Sequence, residues 1–180
     1  MASRFDGKTQ AVIPGKIPYR DKMSKVPNEI RKSVTLPAPI SRVWDALTDP
    51  LEFGEWFMVD LDGPFIPGME TTGQITYPDH EHLKWEVMVV DLIPESHFSF
   101  AWHPFAVDEE IDYSSETPTL VSFELAPIDG GGCQLTVTES GFDSLPPARR
   151  ETAHLMNEGG WTIQMESLQR YLEEYPESLG

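Results

Sequence analysis

From Trp161 to Tyr175 the residues Trp161, Met165, Leu168, Leu172 and Tyr175 recur at i, i+4, i+7, i+11 and i+14, one continuous apolar stripe on an α-helix. Gln164, Glu166, Gln169, Glu173 and Glu174 mostly take the other side. Each large apolar side chain gains about 1.5–3 kcal/mol from leaving water, so the stripe requires a cover. The segment Arg149 to Tyr175, after Pro146-Pro147, reads as a single long helix, with Gly159-Gly160 as its point of strain. A sheet is the only surface large enough to receive it.

The residues ahead of the helix supply that sheet. Glu29 to Leu36 reads as a half-buried strand, ended by Pro37 and Pro39. Ser41 sits where an N-cap belongs, opening a short helix with Val43, Trp44 and Leu47 on one face. Asp49-Pro50 stops it and starts a second short helix through Phe53, Trp56 and Phe57. Strand segments follow at Thr71 to Tyr77, Leu83 to Ile93, His97 to His103, Thr119 to Ala126 and Gln134 to Glu139. In His97 to His103, Phe98, Phe100 and Trp102 alternate with Ser99 and Ala101, the cleanest two-residue period in the chain. Short turns between these runs (Pro78-Asp79-His80, Gly130-Gly131-Gly132) predict meander connections in an antiparallel sheet. The expected class is α+β: six to seven strands curved around a long C-terminal helix, with two short helices after the first strand.

Residues 1–28 differ in character. Pro14, Pro18 and Pro27 interrupt them without sustained periodicity, so they read as an extended arm before a domain spanning 29–180. The arm carries six bases and two acids, a net +4; the other 7 bases and 28 acids give the body −21, for −17 overall. A body so acidic repels phosphate backbones and anionic lipid heads, which argues against nucleic-acid and membrane partners. Cys133 is the only cysteine, so no internal disulfide forms, and a packed structural thiol is expected. With no apolar run near the roughly 20 residues of a membrane span, and no secretory leader, the expected location is the cytoplasm.

In this order the elements resemble the START-like (SRPBCC) superfamily. Within it, the chain resembles the family named for the activator of the ninety-kilodalton heat-shock protein ATPase, in its C-terminal-domain-like branch. The resemblance rests on Val34-Thr35-Leu36-Pro37-Ala38-Pro39, the helix Val43 to Pro50, Trp56-Phe57, and Phe98-Ser99-Phe100-Ala101-Trp102. It continues through Phe123-Glu124-Leu125, Leu135 to Phe142, and Gly160-Trp161 with Leu168, Tyr171 and Leu172. It implies a helix-grip fold with a cavity under the last helix. In related proteins that cavity holds lipids, hormones or polyketides, or serves cyclases and other enzymes. The resemblance ties chaperone activation to members with a further N-terminal domain, whereas the 28 residues here hold no core.

Inward strand residues and the underside of the last helix would line such a cavity: Trp56, Phe57, Met69, Trp85, Phe98, Phe100, Trp102, Phe123, Trp161, Met165 and Leu168. The same residues in the same phase would equally fill a solid core. Asp79-His80-Glu81-His82 offers metal-ligand types, but histidines at i, i+2 converge only in a loop, so a solvated turn is expected and no metal or cofactor. His103 beside Glu86, Asp91 or Glu139 would make an acid–base pair, although nothing in the spacing demands it. The acidic run Asp108-Glu109-Glu110-Ile111-Asp112 reads as a solvated loop able to gate the cavity. The expected function is to bind a small hydrophobic or amphipathic ligand, as a monomer or homodimer. A cyclase or hydrolase using the same cavity comes second, and a chaperone-interacting module third.

Overall fold

The structure, a computed structural model, describes residues 26–179. Most of the arm, residues 1–25, lies outside them. β1 (Glu29–Leu36) is followed by α1 (Ile40–Thr48), whose first turn is closed by the Pro39 carbonyl, accepting from Arg42 N at 2.9 Å and Val43 N at 3.1 Å. Pro39 is thus the cap, and Ser41, expected there, lies exposed inside the helix. Proline already has the φ that a helix entry needs, so the chain turns two residues sooner than the serine suggests. Asp49 does cap α2 (Pro50–Phe57), its Oδ1 accepting from Leu51 N and Glu52 N, with Pro50 in the first turn.

Met58 leaves α2 in the left-handed region (φ 68°) and turns the chain into β2 (Val59–Leu61), a strand too short to show a period in the sequence. Gly54 permits this return, because a Cβ there would overlap the Val59 carbonyl oxygen. β3 (Glu70–Ile75), β4 (Lys84–Ile93), β5 (His97–Trp102), β6 (Thr119–Pro127) and β7 (Cys133–Ser140) then meander back. The sheet has seven strands, ordered β1-β7-β6-β5-β4-β3-β2, with antiparallel neighbours throughout. The first strand therefore forms one edge, and α1 and α2 carry the chain across to the other.

α3 (Pro147–Glu174) runs unbroken through Gly159 and Gly160. Its residues Trp161, Met165, Leu168 and Leu172 are buried in the core shared with the sheet, whereas Tyr175 lies just past the helix and is 40% exposed. The inward parity is clean on the last two strands: Thr119, Val121, Phe123 and Leu125 on β6, and Cys133, Leu135, Val137 and Glu139 on β7. Burial pushes the Cys133 thiol up, away from the reactive thiolate form.

A buried ion pair ties the three helices together. Arg42 Nη1 on α1 lies 2.8 Å from Glu52 Oε1 on α2, in charge contact but outside hydrogen-bond alignment. Tyr171 on α3 donates its hydroxyl to the same oxygen at 2.9 Å, and Arg42 Nη2 donates to the Tyr175 carbonyl at 2.8 Å. Burial, and then Glu52 itself, push the Tyr171 hydroxyl up from 10.0 to about 12. A phenol is neutral while protonated, so the folded chain holds this proton to higher pH than the unfolded one. The linked stability is whole below pH 10 and is lost as the pH rises through 12. At about 1.4 kcal/mol per unit it is on the order of 2–3 kcal/mol. Urea unfolding between about pH 9 and 12 should show the wild type losing stability more steeply than Tyr171→Phe. Parallel curves would mean that this hydroxyl is not linked to folding.

Candidate functional site

Beneath α3 most of the interior is solid. Phe98, Phe100 and Phe123 have no exposed surface, and their ring centroids lie 5.7–6.2 Å apart. Trp85 packs against Phe53, Phe57 and Phe100, and Trp56 donates its indole N–H to the Ala46 carbonyl at 2.8 Å. Met165 and Leu168 are buried in the same cluster. Met69 departs from the expected lining: it is 54% exposed. It belongs to the turn before β3, where its N–H bonds to the Ile66 carbonyl, so strand parity does not govern it.

A cleft of about 100 Å³ remains where α2, β5 and α3 meet. It is lined by Phe57, Trp102, Trp161, Asn157, Gly160 and Gln164. The three rings form a near-equilateral triangle, with centroids 5.9 Å apart for Trp102–Trp161, 6.3 Å for Phe57–Trp161 and 6.4 Å for Phe57–Trp102. Of the eleven nominated residues, these three reach the cleft.

Directly behind this wall lies Glu139, at an inward position of β7 and with no exposed surface. Its Oε1 accepts from Trp161 Nε1 at 2.8 Å and Asn157 Nδ2 at 3.0 Å. Its Oε2 accepts from Trp102 Nε1 at 2.8 Å and Thr119 Oγ1 at 2.7 Å. All four donors are neutral. Among the described residues no lysine, arginine or histidine forms an ion pair with this carboxylate. Burying an anion is costly unless hydrogen bonds replace its water, and two indoles, an amide and a hydroxyl do so here.

The amides of the cleft are oriented by what they donate to. Asn157 gives its NH2 to Glu139, and Gln164 gives its NH2 to the Phe57 carbonyl at 3.3 Å. Asn157 reaches both carboxylate oxygens, whereas Gln164 keeps a second N–H, and both amides keep a carbonyl oxygen as acceptor.

His103 takes no part in this network, since the Glu139 partners are Trp102, Thr119, Asn157 and Trp161; Glu86 and Asp91 are exposed on β4. It lies instead near Asp112, whose carboxylate is held below its usual range first by bonds from Ser114 and then by His103. The acidic loop is tethered. Arg149 at the start of α3 makes a two-pronged contact with Glu116 (3.0 and 2.8 Å) and donates to the Pro104 and Phe105 carbonyls at 3.0 Å. Its guanidinium also sits over the Tyr113 ring at 4.7 Å. In the Asp79-His80-Glu81-His82 segment, His80 Nδ1 turns to the Pro78 carbonyl at 3.1 Å. Among the described residues no three His, Cys, Asp or Glu side chains converge as metal ligands would.

In the sequence Glu139 reads as a strand end and a partner for His103, Gly160 as a point of strain and Gln164 as part of the polar side of the helix, and Asn157 is passed over; none of the four is expected at the site. The signal for Glu139 was its parity with Leu135 and Val137, which places a carboxylate on the buried face. For Asn157 it was the i, i+4 relation to Trp161.

A curved seven-stranded antiparallel sheet beneath a long C-terminal helix, with two short helices bridging its edges, is the helix-grip fold of the START-like superfamily. A family model described as Activator of Hsp90 ATPase homolog 1-like protein matches residues 37–173, and the chain belongs to that family. Solved structures share the fold. MLL2253 from Mesorhizobium loti is 24% identical with a TM-score of 0.64, over 82% of this chain and 98% of that one. The Aha1 dimer from Colwellia psychrerythraea is 19% identical with a TM-score of 0.59, over 81% and 96%. DynU16, from the dynemicin biosynthetic locus, is 23% identical with a TM-score of 0.63 over 85% of this chain, which spans about half (49%) of its length. No curated protein matches the chain. Among the described residues no helix is long and apolar enough to cross a membrane.

Proposed function

We propose that this chain is a small-molecule-binding protein whose site is the cleft between Phe57, Trp102 and Trp161. One observation carries the reading. Where the rest of the interior is packed, three aromatic rings from three different elements leave a gap, backed by a buried carboxylate and edged by two oriented amides. Ligand sites likewise combine apolar walls with a few placed polar groups. The volume, well under the roughly 300 Å³ at which drug-sized pockets begin, favours a compact ligand or one end of an amphipathic molecule. This narrows the expectation of a small hydrophobic or amphipathic ligand.

Gly160 provides the test. It lines the cleft, and a Cβ built there meets nothing within 4 Å. Gly160→Leu should therefore fill the cleft without displacing protein, while removing the roughly 0.8–1 kcal/mol that glycine costs a helix interior. In NMR screening of small fragments, binders should move the Trp102 and Trp161 indole N–H resonances of the wild type. They should bind Gly160→Leu at least tenfold more weakly, with the melting temperature unchanged or raised. A library without binders, or binding that survives the leucine, would sink the reading.

A further inference from the structure

Resting on that reading of the cleft, we infer that its ligand is a small organic cation, an alkylammonium group. The polar inventory of the cleft is one-sided. Both indole N–H groups and the Asn157 NH2 are bonded to Glu139, and Gln164 Nε2 donates to the Phe57 carbonyl, so what remains toward a ligand is aromatic face, amide carbonyl oxygen and a single Gln164 N–H. An anion would find only that one N–H, beside two indoles already bonded to a carboxylate. A formal negative charge lies behind the wall at Glu139, bonded to two of its residues, with no cation paired to it among the described residues.

The hydrogen bonds also act on the rings. Trp102 and Trp161 donate to the same anion at 2.8 Å each, which pushes electron density into both indoles and makes their faces more negative. Such faces attract a cation centred within about 6 Å, most strongly where water is excluded. With the Phe57, Trp102 and Trp161 centroids 5.9–6.4 Å apart, one cation can lie within about 6 Å of all three rings. The cleft, about 100 Å³ and open to solvent, has room for a compact head such as an ammonium bearing a few methyl groups. The Asn157 and Gln164 carbonyl oxygens can accept from any N–H the ligand retains.

The probe is tetramethylammonium chloride, compared with neutral tert-butanol of similar shape and with sodium chloride at equal ionic strength. The Trp102 and Trp161 indole N–H resonances report binding. Tetramethylammonium should bind at least tenfold more tightly than tert-butanol, and sodium chloride should leave both resonances in place. Glu139→Gln should cut tetramethylammonium affinity at least tenfold and leave tert-butanol unaffected. Trp102→Phe, which keeps a ring but cuts one link to the carboxylate, should weaken it several-fold and stands in if the glutamine variant does not fold. Equal binding of the two probes would overturn the cation assignment while leaving the cleft as a site. If neither probe moves the indoles while other fragments do, the cation assignment alone falls. If no compound moves them, both readings fall. Unchanged affinity in Glu139→Gln would overturn the role of the carboxylate.

Discussion

Glu139→Ala should lower the unfolding free energy by about 2–4 kcal/mol in urea denaturation followed by tryptophan fluorescence. The substitution strands two indole N–H donors, Trp102 and Trp161, in an interior where the carboxylate was their acceptor. A buried donor without a partner costs about 1–3 kcal/mol. Thr119 escapes most of this, because its hydroxyl already lies 3.5 Å from the Trp102 carbonyl and can turn to it. Asn157 lines the cleft and can reach water. Removing a buried anion returns part of its desolvation cost, which keeps the total below the sum of four lost bonds. Glu139→Gln retains one acceptor oxygen and should cost about half as much. A loss under about 0.5 kcal/mol for alanine would show that the network does not hold α3 to the sheet.

The second large effect is expected at the helix junction. Arg42→Ala or Glu52→Ala should each cost about 3–5 kcal/mol, because each leaves the other charge buried and uncompensated. Arg42 and Glu52 are 5% and 1% exposed, so water cannot take the place of the missing partner. Each loss also propagates. Without Arg42 the Tyr175 carbonyl loses both of its donors, and without Glu52 the Tyr171 hydroxyl and the Leu179 N–H lose their acceptor. The double variant Arg42→Met with Glu52→Leu should return close to wild-type stability, since apolar residues of similar size often replace a buried pair without loss. Chemical denaturation of the wild type, the two alanine variants and the double variant makes the comparison. Single variants costing under about 1 kcal/mol, or a double variant no better than the worse single, would refute this account.

Periodicity carried well wherever burial alone decided the residue. The stripe Trp161, Met165, Leu168 and Leu172 is buried as its spacing required, and Phe98, Phe100, Val121, Phe123, Leu135 and Val137 all lie on the inner face. Local chemistry was less reliable at single positions. Ser41 looked like a cap, but Pro39 already held the chain in the entry conformation; Met69 shared the strand composition but belongs to a turn. β2 has three residues, too few for any period to register.

The sequence by itself determined that a long amphipathic helix must lie on an antiparallel sheet, because apolar spacing is a property of neighbours along the chain and water penalises its exposure wherever the chain goes. Only the tertiary structure decided that the space beneath the helix is mostly filled and that one small cleft survives. It likewise brought Phe57, Trp102 and Trp161 to one point, with Glu139 behind them. Those residues come from four separate elements, and their convergence depends on strand register and on the seating of α3 over β5 and β7. Distances between groups remote in the chain follow from packing, which no local pattern records.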